Sequence, residues 1–182
     1  MNISVVPLYG LSILWIQPTI PYYLLAFIGA LLQLMAFYFL LRNRILFQFQ
    51  NKNLSFKLFL IALFAYSLKM IFQIGASFES VQTFLNSTVS SSIIGYLHLV
   101  MLGFFTLFFL SVFIQHELLK NTGILKIGIF LLLIGIILSE SLLFGQSFMN
   151  YIFKTSIFNY FNMLFWVSAF MPVGIAFIVV QG

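Results

Sequence analysis

Apolar residues in this chain do not alternate with polar ones; they run on for about one bilayer's worth of positions, stop at a few charged residues, and resume. The runs cover about residues 21–41, 56–78, 92–114, 124–145 and 157–180. Each is close to the ~20 residues that cross ~30 Å of hydrocarbon in a helix. A backbone can sit in that medium only with its own hydrogen bonds closed, which a helix achieves within one segment. The pattern predicts an all-α membrane protein, a bundle of five transmembrane helices forming a single domain over 21–182. Residues 1–20 stand apart. There Val5 to Ile16 is apolar but interrupted by Pro7 and Gly10 and ended by Gln17 and Pro18. It is too short for a span, and it lacks the basic start and small-residue cleavage site of a signal peptide. With Tyr9, Trp15, Tyr22 and Tyr23 suited to the headgroup region, it reads as a short interfacial or partly inserted helix. The alternative is the remainder of a span in a longer relative.

Charge then orients the spans. Arg42, Arg44, Lys52 and Lys57 lie in or beside the first loop and Lys120 and Lys126 in or beside the third, whereas the opposite side receives only Lys154, with Glu79 in the loop after the second run. Basic residues collect in short cytoplasmic loops. The expectation is therefore a bacterial cytoplasmic membrane protein with its N-terminus and the loops around 79–92 and 146–156 outside. The loops around 42–55 and 115–124 and the C-terminus are then cytoplasmic. Composition agrees, because hydrophobic residues are 63% of the chain and charged residues 6%, against roughly 25% charged in a soluble domain. The net charge of +5 follows the topology and forms no basic face with interleaved aromatics, so nucleic acid is excluded as a partner. The chain has no Cys, which removes disulfides, thiolate metal sites and thiol catalysis.

Polar residues inside the runs carry whatever chemistry there is. In the first run Ala26, Gly29, Gln33 and Ala36 share a face, and Gln33 suits an amide bond to a neighbouring helix. In the second, Ser55, Ala62, Tyr66, Lys69, Gln73 and Ala76 fall on one side at helical spacing. Lys69 stands half way through, where a lysine costs ~2.5 to 3.5 kcal/mol and so faces a protein interior or a wet cavity, or snorkels. Glu140, in the fourth run, is the obvious counter-charge, and an ion pair with Lys69 would offset part of both desolvation costs. Gly128, Gly135 and Ser139 form a close-packing seam on another side of that helix. In the third run Gly95, Leu99, Gly103 and Thr106 make a small-residue side with His98 at its edge. The last run carries Asn159, Asn162, Trp166 and Ala169 on one face, and Pro172, which frees the Ser168 carbonyl and predicts a kink. Tyr66, Lys69, Gln73, His98, Glu140, Asn159 and Asn162 are the candidate site, expected to line one intramembrane cavity.

The stretch His98, Leu99, Val100, Met101, Leu102, Gly103, Phe104 resembles the haem-ligating helices of the haem-copper oxidase superfamily. The resemblance implies His98 as an axial haem ligand. The chain departs from that pattern because its other histidine, His116, lies at the opposite end of the same run. As a whole the sequence resembles uncharacterised bacterial polytopic membrane proteins, and this resemblance implies no activity. No Ser-His-Asp arrangement, His-Glu-x-x-His or phosphate-binding glycine loop is present, so an enzyme is not expected. Nor is any cofactor, haem at His98 excepted. Three classes remain: a non-enzymatic subunit or accessory factor in the bilayer, partnered by other membrane subunits or by copies of itself; a small ion-coupled carrier; and a haem or metal protein.

Overall fold

The computed structural model describes residues 20–42, 53–76, 78, 81 and 89–180, and among them every regular element is a helix. In chain order these are α1 (Ile20–Arg42), α2 (Asn53–Ala76), α3 (Val89–His98), a π-helical segment (Leu99–Thr106), α4 (Leu107–Gln115), α5 (Gly123–Ile152), α6 (Tyr160–Ser168) and α7 (Phe170–Val179). α3, the π segment and α4 form one continuous rod, and α6 and α7 form another. Among the described residues four stretches are long and apolar enough to cross a membrane: Asn53–Ala76, Ser91–Gln115, Gly123–Ile152 and Tyr160–Val179. The chain is a multi-pass membrane protein. Of the segment read as interfacial, residues 1–20, all but Ile20, which opens α1, lie outside the described residues, as do the loop residues Arg44, Lys52 and Glu79.

The core forms where α2, α4, α5 and α7 converge: Leu58 and Ala62, Leu107, Leu110 and Ile114, Leu125, Ile129, Leu132 and Ile136, with Met171 and Ile178, are all buried. α5 is central, packing along α7 on one side and α3 on the other, while α2 lies against the π segment and α4, and α1 rests on α2. Backbone approaches backbone at the α5–α7 contact. A Cβ on Gly128 would stand 2.8 Å from the Gly174 carbonyl oxygen, and one on Gly174 would stand 2.7 Å from that of Gly128. Gly135 faces Met171 one layer on. The glycine seam expected on α5 is thus its docking line for α7, and Ser139 is buried beside it. Lipid-facing positions carry large apolar side chains, including Phe130, Phe161, Phe165 and Val180, as hydrocarbon solvent permits.

Local detail departs from the ideal helical wheel in three places. Gly95, Leu99, Gly103 and Leu107 are the buried side of the third rod, at an even spacing of four, whereas Thr106 is only half-buried. The π segment causes this, since its wider turns rotate later residues back by a fraction of a turn; the Thr106 hydroxyl donates instead to the Met101 carbonyl at 3.0 Å. On α1 the enclosed residues are Gly29 and Ala30, with Gln33 half-buried and Ala36 exposed. α5 continues to Ile152, beyond the end expected at 145, because Gln146 and Ser147 find partners within the protein and need not reach water. The last rod is interrupted at Ala169, three residues before Pro172, where the missing N–H predicted a break.

Candidate functional site

The candidate site residues do not line one cavity: among the described residues some gather in two groups, and Glu140 and His98 join neither. The first joins α1 to α2. Gln33, held mid-helix, donates through Nε2 to the Tyr66 hydroxyl at 2.9 Å and accepts from Lys69 Nζ through Oε1 at 3.1 Å. Lys69 Nζ also stands 5.6 Å from the centre of the Tyr66 ring, within cation–π range. Tyr66 is packed between Phe37, at 5.2 Å between ring centres, and Phe104, at 4.8 Å. Tyr66 and Lys69 are one turn apart on α2, which puts both on the face that the sequence marked as inward; Ser55, Ala62 and Gln73 on that face are buried. The amide of Gln33 completes this group: the sequence marked it for a bond to a neighbouring helix, but not as the partner of Lys69 and Tyr66.

Glu140 does not join the Lys69 hydrogen bond. Its side chain is half-buried, and neither carboxylate oxygen has a hydrogen-bond partner among the described residues. Depth is not what separates the two. The rings of Phe72 on α2 and Phe144 on α5 meet at 5.0 Å, and Lys69 and Glu140 each stand one turn before their ring, on neighbouring helices at one level. Lys69 is instead turned to α1. The expected ion pair is therefore replaced by an amide contact, because Gln33 offers a carbonyl oxygen to the ammonium without the cost of burying a second charge.

His98 shares that level too, since a Cβ on Gly95, one turn earlier, would stand 3.4 Å from the side chains of Leu143 and Phe144. At 100° per residue it is turned about 60° from the Gly95 side, to the flank away from Tyr96. Its Nδ1 is enclosed and without a hydrogen-bond partner among the described residues. Among those residues no three His, Cys, Asp or Glu side chains stand close enough together to hold a metal ion.

Asn159 and Asn162 belong to the second group, at the end of the bundle where α3 begins and α5 turns into α6. A cleft of about 610 Å³ opens there, lined on its polar side by Ser91, Gln146, Asn150, Ser156, Asn159 and Asn162. Neither this cleft nor a second one that also touches Asn159 and Asn162 includes Tyr66, Lys69, Gln73, His98 or Glu140. The cleft is built on Gln146, only 6% exposed. Its Nε2 donates to Asn150 Oδ1 at 2.9 Å, and its Oε1 accepts from the Ile157 backbone N–H at 2.8 Å, so one buried amide fixes both the end of α5 and the turn into α6. Ser147 lies 3.0 Å from Ser91 and accepts from Ser92 at 2.9 Å, which ties α3 to the same place. Asn159 adopts a left-handed backbone, φ 54°, and its side chain does not cap α6. Gln146 and Asn150, at i and i+4 near the end of an apolar run, were the signal available in the sequence for this site.

No family model, curated protein or solved structure matches this chain.

Proposed function

We propose that the protein is a non-enzymatic subunit or accessory factor of a membrane complex, in a bacterial cytoplasmic membrane, with α1 as a fifth span. The observation that supports this reading is how the intramembrane polar groups are used. Gln33 bonds α1 to α2, Ser55 donates to the Ser111 carbonyl to bond α2 to α4 at 2.8 Å, and Ser147 bonds α5 to α3. Each of these is a helix-to-helix fastening, contributing about 0.6 kcal/mol on average in a bilayer. The last rod, enclosed on one edge only and the least buried of the four long apolar stretches, offers area to a neighbouring membrane protein. Crosslinking in intact membranes, followed by purification in lipid nanodiscs, is expected to recover the chain joined to other membrane polypeptides or to its own copies. A chain recovered only as a monomer would overturn the subunit reading.

The orientation in this reading places the ends of α2, α5 and the start of α3 outside. Single cysteines introduced as Ser90→Cys and Asn121→Cys into the Cys-free chain should be labelled by an impermeant maleimide from opposite sides. Labelling from one side would reverse the assignment of a loop. The enclosed carboxylate of Glu140 favours a second reading, a small ion-coupled carrier. Proton flux into proteoliposomes that Glu140→Gln abolishes would establish it over the first. For His98 the expected result is a visible spectrum without a Soret band. A Soret band lost in His98→Ala would assign haem to it.

A further inference from the structure

The geometry points to a binding site, at the α5–α6 turn, for a membrane lipid whose headgroup is uncharged and rich in hydroxyls, such as a sugar. Two adjoining clefts of contrasting chemistry carry this. The first, of about 610 Å³, presents the amides and hydroxyls of Gln146, Asn150, Ser156, Asn159 and Asn162. The second, of about 560 Å³, runs between α5 and α6 and is lined by Leu138, Leu142, Met163, Trp166 and Val167. Its one hydroxyl side chain, Ser141, is turned to the Ile137 carbonyl of its own helix at 2.7 Å. Asn159 and Asn162 line both clefts, so one molecule can occupy the two together. Both volumes fall in the range of small-molecule sites.

The lining chooses the ligand. No charged side chain lines either cleft; the nearest ammonium in sequence, Lys154, stands over the Tyr151 ring at 5.5 Å. A phosphate-bearing headgroup would be desolvated there without a counter-charge, which is costly. A plain hydrocarbon chain would leave the amides of Asn159 and Asn162 without partners. A hydroxyl-rich head satisfies those amides, whose N–H groups donate and whose C=O groups accept, while its acyl chain fills the apolar cleft. Gln146 and Asn150 are already bonded to each other and to Ile157, so this wall is rigid before a ligand arrives. Asn159 is free to turn its amide inward because it does not cap α6. The site is independent of the subunit reading.

The test uses Trp166, which lines the apolar cleft, as reporter in the Trp15→Phe chain, whose only other tryptophan is then removed. In phosphatidylcholine vesicles, glucosyl-diacylglycerol with brominated acyl chains is expected to quench Trp166 at about one tenth the mole fraction needed by brominated phosphatidylglycerol. Asn159→Gly, which keeps the left-handed backbone, combined with Asn162→Ala should abolish that tenfold preference, the equivalent of two neutral hydrogen bonds. Both residues are exposed, and an unchanged thermal melt of the variant shows that the fold survives. Equal quenching by the two brominated lipids would overturn the proposal, as would a preference that persists in the variant. So would full relief of quenching by free methyl glucoside, which would mean that the sugar binds without its lipid.

Discussion

Gly174→Ala should lower the stability of the bundle by about 3 kcal/mol or more, and Gly145→Ala by almost nothing. Added atoms in a packed interior cost 1–3 kcal/mol when neighbouring side chains can shift, and more when they cannot. At Gly174 the new Cβ would stand 2.7 Å from the Gly128 carbonyl oxygen, 2.8 Å from the Leu132 nitrogen and 3.2 Å from the Leu132 Cα. All three are backbone atoms inside α5, so nothing can swing aside, and relief requires moving one rod off the other. At Gly145 the nearest atom would be the tip of the Ile157 side chain, 3.8 Å away. There alanine meets only ordinary contact and gains up to ~1 kcal/mol of helix propensity. Gly128→Ala meets the Gly174 carbonyl oxygen at 2.8 Å, and the double variant should cost less than the sum of the two, since the first change already separates the helices. Unfolding in mixed micelles measures all four. If Gly174→Ala and Gly145→Ala unfold alike, α5 and α7 do not meet at this seam.

The second large effect concerns Lys69. Gln33→Leu removes an acceptor from the ammonium and a donor from the Tyr66 hydroxyl in one step, and a stranded buried polar group costs about 1–3 kcal/mol. A loss at the upper end of that range is expected, together with weakened attachment of α1, whose remaining ring contacts to α2 include Phe37 with Tyr66. A double-mutant cycle of Gln33→Leu with Lys69→Met should show coupling of at least about 0.5 kcal/mol. The cycle of Lys69→Met with Glu140→Gln should be close to additive, since Lys69 Nζ is bonded to Gln33 and the Glu140 oxygens have no hydrogen-bond partner among the described residues. Strong coupling in the second cycle and none in the first would restore the ion pair in place of the amide clasp. Glu140→Gln alone should be neutral or stabilising, because it replaces an enclosed carboxylate with a neutral group of the same shape.

What the sequence by itself determined is everything that follows from the solvent. Hydrocarbon forces each apolar run of bilayer length into a helix, and the number, order and approximate limits of the runs can be counted from the letters alone. The inward face of α2 and the α5 glycine seam were legible for a related reason: both are periodic at helical spacing, and a small or polar stripe in lipid has nowhere to go but against protein. The break ahead of Pro172 was legible because the missing N–H is a covalent property of one residue.

Partner choice was decided only in three dimensions. Lys69 and Glu140 look like a pair in one dimension because they are the charges well inside the spans. Side-chain rotation and the position of α1 put an uncharged amide within reach of Lys69 first. Likewise Asn159 and Asn162 were expected in one cavity with Glu140, yet the turn into α6 sets them beside Gln146 and Asn150 at the end of α5. A helical wheel ranks residues around one axis; it holds no information on which neighbour lies at each azimuth, or on how a π-helical segment such as Leu99–Thr106 resets that azimuth part way along. Those quantities are set by the packing of whole rods, where a contact as close as Gly128 on Gly174 fixes which faces of α5 and α7 meet.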